Sequence, residues 1–299
     1  MKRKTKIFVT GAPGFVASHL IPMLVKNDYK ITAMVRHLSE KSEISIRVKV
    51  VVGDLSQDGT WSKALRGKDV VIHLASQIAA SSPILFARNN TLAARNLVDA
   101  AMHHKVKKFI LFSSAAVTST RLDMYAKTKK DQEEIVSKSS LNGTIFRPSM
   151  IYGPGDTKNI GWLISFIRKM PIIPLPAGDD IGRQPVYVED ICKIVLKVIE
   201  KDYPKKIYEI HGREYITLKK MITTIIKILK LKRFVMTIPI WSLAMMISIQ
   251  EKILPSPKFT RDQIESLTSG EKFKGDAWWE TFGIIPTRFE VGVAKMIKK

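Results

Sequence analysis

The chain has one cysteine, Cys192, in 299 residues, which rules out an intrachain disulfide and any multi-cysteine metal cluster. Residues 190–195 read as helix, so Cys192 is expected to be a small packing residue and not a nucleophile. The six histidines are dispersed, and the adjacent His103 and His104 lack ligand spacing, so no metal site is expected. Acidic residues are scarce: 27 against 49 basic ones, a formal charge of +22. Such an excess attracts anions. The basic residues nevertheless fall in small groups (Lys105, Lys107 and Lys108; Lys219 and Lys220; Lys295, Lys298 and Lys299) with no interleaved aromatics. That pattern is a lysine-rich solvated surface and argues against a nucleic-acid partner. Long apolar runs are also missing. The basic start, residues 1–4, is followed only by Ile7, Phe8 and Val9 before a glycine turn, too little for an export signal, and a cytoplasmic location is expected. Residues 234–250 carry no charge but are only 17 long and contain Pro239, Trp241, Met245 and Met246. This is the lower limit for a bilayer span, and it is read as a buried or interface helix without membrane contact. No repeat or low-complexity tract occurs.

A hydrophobic content of 45% over this length can fill a substantial core, as one large domain or two lobes. The richest local signal is Thr10-Gly11-Ala12-Pro13-Gly14-Phe15-Val16-Ala17. Residues 6–9 before it read as a buried strand, and Val16, Leu20, Met23 and Leu24 after it recur at helical spacing. Gly11 can make the sharp turn, Gly14 lets backbone approach a pyrophosphate resting on the helix N-terminus, and Ala17 supplies the small residue for helix-strand packing.

Strands are then expected at 31–35, 48–52, 70–74, 109–112 and 144–146, with helices at about 83–103 and 124–136 between them. Strand-helix alternation of this kind predicts an α/β fold, a Rossmann-like doubly wound parallel sheet with its ligand crevice at the strands' carboxyl ends. Residues 1–150 would form the nucleotide-binding domain. Residues 151–299 would form a smaller substrate lobe interleaved with the main sheet, to which strands near Pro185 and Ile207 return. In that lobe residues 206–210 read as a strand, 218–229 as an amphipathic helix and 171–176 as a stiff proline-rich loop.

The end of the second strand usually decides the coenzyme. Arg36 stands there, 22 positions past Gly14 and followed by His37. A guanidinium at that point favours the 2′-phosphate of NADP over NAD, with NAD still allowed. Asp54, past the third strand, reads either as an acceptor for the adenine amino group or as a simple turn residue. Tyr125 and Lys129 lie four apart on one helix face, so the ammonium can favour ionisation of the phenol. Ser114, at the end of the fifth strand, can hydrogen-bond a substrate oxygen that exchanges a proton with Tyr125.

Together these features resemble the extended or atypical short-chain dehydrogenases/reductases of the NAD(P)-dependent epimerase/dehydratase group over nearly the whole chain. The similarity includes Gly53-Asp54-Leu55, His73-Leu74-Ala75, residues 90–96, Ser113-Ser114, the run from Arg147-Pro148 to Asp156, and residues 183–190. The resemblance implies a hydride exchange between nicotinamide and a hydroxyl or carbonyl carbon, in a sugar nucleotide for example. Tyr125 would be the general acid/base, Lys129 would hold the nicotinamide ribose, and Ser114 would position the substrate. It also implies coenzyme contacts from Gly11, Pro13, Gly14, Phe15, Val16, Leu55, Leu74, Ala75, Tyr125, Lys129, Arg147 and Pro148. Arg183 would meet a substrate phosphate or, equally, pair with Asp179 or Asp180. A homodimer formed through the helix carrying Tyr125 is a further implication.

The chain departs from the group's nucleotide-sugar epimerases in the short link from Ser114 to Tyr125, which lacks their usual Tyr-Gly. Ten intervening residues still reach roughly 30 Å, so the two side chains can meet. Residues 258–264 and 282–290 resemble an atypical subgroup that includes a nucleotide-binding accessory subunit of respiratory complex I. The alternative expectation is therefore a catalytically silent NADP-binding protein.

Overall fold

In the computed structural model the described residues are 4–43, 47–80, 82–119, 122–177, 181–239, 272, 273, 275 and 277–298. The chain forms two compact units by contact. The first takes its described residues from Met1–Ser149, Val188–Ile210 and Asp276–Ile284; the second takes them from Met150–Tyr187, His211–Gly275 and Ile285–Lys299.

The first unit is built on unbroken apolar runs. The strands β1 (Lys6–Thr10), β4 (Val70–His73) and β5 (Lys108–Phe112) are buried over almost their whole length, the pattern of strands covered on both faces of a parallel sheet. With β2 (Lys30–Val35), β3 (Lys49–Val52), β6 (Gly143–Pro148) and β11 (Ile207–Ile210) they form a seven-stranded sheet in the order β11-β6-β5-β4-β1-β2-β3. Every pairing in it is parallel. The chain order reverses between β1 and β4, which opens the ligand crevice at their carboxyl ends. Phe8, Val71, Leu97, Phe109 and Ile145 lie in the core beneath it.

Helix α1 (Phe15–Lys26) follows β1. Gly14, in extended conformation, is its N-cap, with no side-chain cap and no acidic residue in the first turn, so the first N–H groups are left to other acceptors. The expected helix at 83–103 is present in three pieces: α2 (Pro83–Phe86), a π-helical turn (Ala87–Leu92) and α3 (Ala93–His103). Helix α4 (Met124–Lys138) is capped by Asp123. Helix α6 (Val188–Glu200) buries Cys192, whose thiol burial pushes up to about 12.

In the second unit, helices α5 (Ile160–Lys169), α7 (Leu218–Leu229) and α9 (Phe289–Ile297) share a core of Leu163, Ile167, Ile222, Ile225, Phe289 and Val293. The short helix α8 (Trp278–Phe282) belongs to the first unit, where Phe282 packs on Tyr203 and Tyr208.

Three expectations need correction. Residues 172–176 are a strand, β8 (Ile172–Pro176), paired in parallel with β13 (Phe234–Ile238). Each strand of a two-stranded sheet is an edge, where Pro174 and Pro176 remove no required ladder bond. Hence residues 234–238 are strand and not the start of a helix, in keeping with their aromatic and β-branched content; residues 240–250 lie outside the described residues. Finally, β11 does join the main sheet, but β10 (Val186–Tyr187) pairs only with β7 (Ile151–Tyr152). The small antiparallel pair β9 (Gly182–Arg183) and β12 (Ile216–Thr217) completes this unit. Among the described residues no helix is long and apolar enough to cross a membrane.

Candidate active site

The turn after β1 begins at Gly11, whose φ of +72° is costly for any other residue. A Cβ there would stand 2.6 Å from the backbone nitrogen of Ala75 and 2.8 Å from the carbonyl carbon of Leu74. The glycine therefore also lets β1 and the end of β4 come together. Gly11, Pro13, Arg36, Leu55 and Ala75, all expected coenzyme contacts, line one cavity at the switch point, together with Glu40 and Ser76. Gly14, Phe15 and Val16 form the opening of α1 beside it.

Three expected contacts are committed elsewhere in this structure. The Asp54 carboxylate accepts hydrogen bonds from the Ser56 amide (2.9 Å) and hydroxyl (2.8 Å) and pairs with Arg88 at 3.1 Å. Burial would raise its pKa, but the Ser56 hydrogen bonds and the Arg36 and Arg88 charges outweigh it and hold the carboxyl below its usual value. Its turn role is thus fully occupied. Arg147 grips the buried Glu133 through Nε (2.9 Å) and Nη2 (2.6 Å), with Glu209 3.7 Å from Nη1. Pro148 is buried in β6 opposite Ile210.

The side chains expected to do chemistry converge at the ends of β4 and β5. Ser114 caps a 3₁₀ turn (Ala115–Thr118) by accepting from the Ala116 amide, and α4 then brings back Tyr125. The phenol hydrogen-bonds with Ser114 and Ser76, which lowers its pKa. Burial is the larger effect and, with Asp123, leaves it raised above the ordinary tyrosine value. Lys129 is placed differently from expectation. Its ammonium donates to the Phe112 carbonyl (2.5 Å) and to Gln132 Oε1 (2.6 Å), and the charge acting on the phenol here is that of Asp123. Burial brings Lys129 down to about 7 against the opposing pull of Glu133.

A polar circuit that the sequence did not single out connects these groups. The buried Asn90, in the π-helical turn, accepts from Ser76 Oγ (3.3 Å) and the Gln77 amide (2.7 Å) and donates to Thr128 Oγ1 (3.0 Å). Its carbonyl accepts from Gln132 Nε2 at 3.0 Å. Tyr125, Ser76, Asn90, Gln132 and Lys129 are thereby joined in one chain. Glu133 accepts from Ser113 Oγ as well as Arg147, fixing α4 to β5 and β6. Spacing could have indicated Gln132 and Glu133, three and four residues beyond Lys129 on the same helix face; nothing local marked Ser76 or Glu40. Arg183 is buried in β9 opposite Ile216, in the second unit; Asp179 and Asp180 lie outside the described residues.

This sheet order, with a glycine turn at its switch point, defines a Rossmann-like doubly wound α/β protein. Residues 11–164 match the NAD(P)H-binding family and residues 116–224 the 3-beta hydroxysteroid dehydrogenase/isomerase family. The chain belongs to the NAD(P)H-binding family, within the extended short-chain dehydrogenases/reductases of the epimerase/dehydratase group. It is 33% identical over 170 residues to a ceramide reductase of Caulobacter vibrioides, covering 56% of this chain and 53% of that one. Identity to a UDP-glucose 4-epimerase of Vibrio cholerae is 26% over 271 residues, 80% of each chain. The mitochondrial NADH dehydrogenase (ubiquinone) 1 alpha subcomplex subunit 9 of Arabidopsis thaliana is 26% identical over 87% of this chain and 69% of its own. Among solved structures, a UDP-N-acetylglucosamine 4-epimerase of Methanobrevibacter ruminantium superimposes with a TM-score of 0.77 at 20% identity, over 99% of this chain and 98% of that one. At that identity the likeness speaks for the fold.

Proposed function

We propose that this protein is an NAD(P)-dependent oxidoreductase or epimerase/dehydratase acting on a hydroxyl or carbonyl carbon, with a nucleotide sugar as the first substrate class to test. The observation that carries the reading is the meeting of Tyr125 with Ser114 and Ser76 at the strand ends, next to the cavity that Ser76 and Ala75 line. The cavity suits a dinucleotide: Gly11 and Gly53 are among its lining, and the uncapped N-terminus of α1 offers N–H groups to a pyrophosphate. When bound, the nicotinamide supplies a hydride acceptor or donor. Ser114 donates a hydrogen bond to the substrate oxygen and orients it; Tyr125 takes the hydroxyl proton on oxidation and returns it on reduction. Because burial disfavours the phenolate, Tyr125 needs a cation close by to act as a base near neutral pH. Lys129 fills that role by releasing the Phe112 carbonyl and turning toward the phenol and the ribose hydroxyls; leaving the buried site that depresses its pKa restores its charge.

Tyr125→Phe tests the assignment, since it keeps the ring and removes the hydroxyl. Turnover should fall by 10²-fold or more, in the range of a lost general acid/base, while NADP binding measured by calorimetry stays within about threefold of the parent's. Unchanged turnover would remove Tyr125 from the chemistry.

Similarity along 87% of the chain to a complex I subunit favours a second reading, a silent coenzyme-binding protein at a membrane complex. The readings part in two ways. A substrate screen with nucleotide sugars and hydroxysteroid-like alcohols should give coenzyme redox change or epimerised product only in the first. Cell fractionation should leave an enzyme in the cytoplasm and carry a complex subunit with the membranes.

A further inference from the structure

The coenzyme cavity holds a carboxylate that its expected role does not require. Glu40 lines it beside Arg36. Its Oε2 accepts hydrogen bonds from the backbone amides of Arg36 (3.0 Å) and His37 (3.3 Å), at the carboxyl end of β2. Two consecutive N–H groups beside a guanidinium form an anion cradle, and in this fold the ribose of the adenosine half lies at the end of β2. An anion from the protein itself is already seated there. The Arg36 charge also acts on Asp54, which pairs with Arg88 at 3.1 Å. Among the described residues, Arg36, Glu40, Asp54 and Arg88 are charged groups near this point.

We infer that Glu40 is the residue that sets the coenzyme preference, holding down affinity for a 2′-phosphate that Arg36 attracts. The inference rests on the coenzyme reading of this cavity. A 2′-phosphate must either displace the carboxylate from the two amides or sit next to it, whereas a plain ribose hydroxyl can donate to it. The consequence is near parity of NADP and NAD in the parent protein, with Arg36 and Glu40 pulling in opposite directions.

Glu40 also closes the 3₁₀ turn that follows (Leu38–Glu43), reaching back to the His37 amide while its own amide donates to the His37 carbonyl. The bond from the His37 amide to the Glu40 side chain is the half of a capping box that Glu or Gln can supply equally. Glu40→Gln therefore keeps the cap and removes only the charge. In calorimetric titrations of the full chain with NADP and with NAD, Glu40→Gln should tighten NADP by about 5- to 10-fold, the scale of one unit charge met at short range near the surface. NAD affinity should stay within about twofold. Arg36→Ala should weaken NADP and leave NAD nearly unchanged. Parallel shifts of both coenzymes, or NADP affinity unchanged or weakened in Glu40→Gln, would overturn the role of Glu40. Failure of the parent protein to bind either coenzyme would instead overturn the coenzyme reading itself.

Discussion

Gly11 concentrates two demands in one residue. A positive φ costs an L-residue roughly 1–2 kcal/mol, and the Cβ would in addition press on backbone of the neighbouring strand end, which cannot swing aside as a side chain would. Gly11→Ala is therefore expected to destabilise by about 3 kcal/mol, the range of overpacking added to backbone strain. Because Ala75 is what must move, coenzyme affinity should fall with it. Urea unfolding checks the first effect and calorimetry the second. A loss below about 0.5 kcal/mol, the level of an indifferent surface change, would mean that the turn relaxes freely.

At the same scale, the sequence was a good guide wherever a residue acts through its own local pattern. Gly11 and Arg36 are located by the strand-turn-helix pattern, and both line the cavity at the switch point. It was a poor guide where a role depends on what lies across space. Glu40 reads as one more surface acid until its carboxylate is seen on the Arg36 and His37 amides just past β2. Lys129 faces Tyr125 by helical spacing, yet burial and the neighbouring Gln132 and Phe112 carbonyl hold its ammonium elsewhere.

Among elements, α4 has the most to hold in place, since it carries Tyr125, Lys129, Gln132 and Glu133. Its N-terminus begins only one residue before Tyr125, so the cap governs the phenol's position. Asp123 Oδ1 accepts from the Ala126 amide at 2.7 Å, and the same carboxylate raises the phenol's pKa. Two substitutions separate these effects. Asp123→Asn keeps a good cap while removing the charge: stability should change little, and the alkaline limb of the pH–rate profile, if set by Tyr125, should move to lower pH. Asp123→Ala loses the cap as well and should cost about 1 kcal/mol. Equal effects of the two on stability would show that the cap contributes nothing.

The elements that sequence periodicity located well are those with a continuous apolar run or a clear 3.6-residue stripe: the strands of the main sheet, and α7, whose limits match the pattern from 218 to 229. Strands β8 and β13 escaped because their pairing is with each other across more than fifty residues, and two prolines disguise β8 as loop. The π-helical turn was also unreadable as such, because residues 87–92 fit an ordinary helix by composition. Only the buried Asn90, which the wider turn delivers to Ser76, Gln77, Thr128 and Gln132, explains its presence.

For the whole molecule, charge and burial combine into a dependence on pH whose sign is fixed. His73 is fully buried at the end of β4, bound through Nδ1 to Thr10 at 2.7 Å, and burial with the nearby Lys129 depresses it to about 3. Between pH 6.5 and 3 the unfolded chain binds a proton there that the folded chain refuses, so stability falls as acid is added. Lys129, depressed to about 7, acts alike in a higher window. From pH 7 to about 10 the unfolded chain keeps a proton that the folded chain has lost, and stability climbs with pH, by at most about 1.4 kcal/mol per unit for this one group.

Mutual repulsion within a chain of formal charge +22 and pI near 10.0 adds a rise of the same sign. Salt separates the two contributions. Surface repulsion is screened at about 0.5 M salt, where the Debye length is only a few ångströms, whereas a buried ammonium is hardly affected. Urea titrations at pH 7, 8 and 9 should therefore show stability rising with pH in the parent protein even at high salt. Lys129→Met, which keeps most of the side chain's bulk, should flatten that rise. Above pH 10 the trend should reverse, because the raised Tyr125 phenol keeps its proton in the folded state after the unfolded chain has released it. A Lys129→Met protein as steep as its parent in high salt would mean that the ammonium stays protonated in its buried site up to pH 9, and the neutral-lysine account of this site would have to be abandoned.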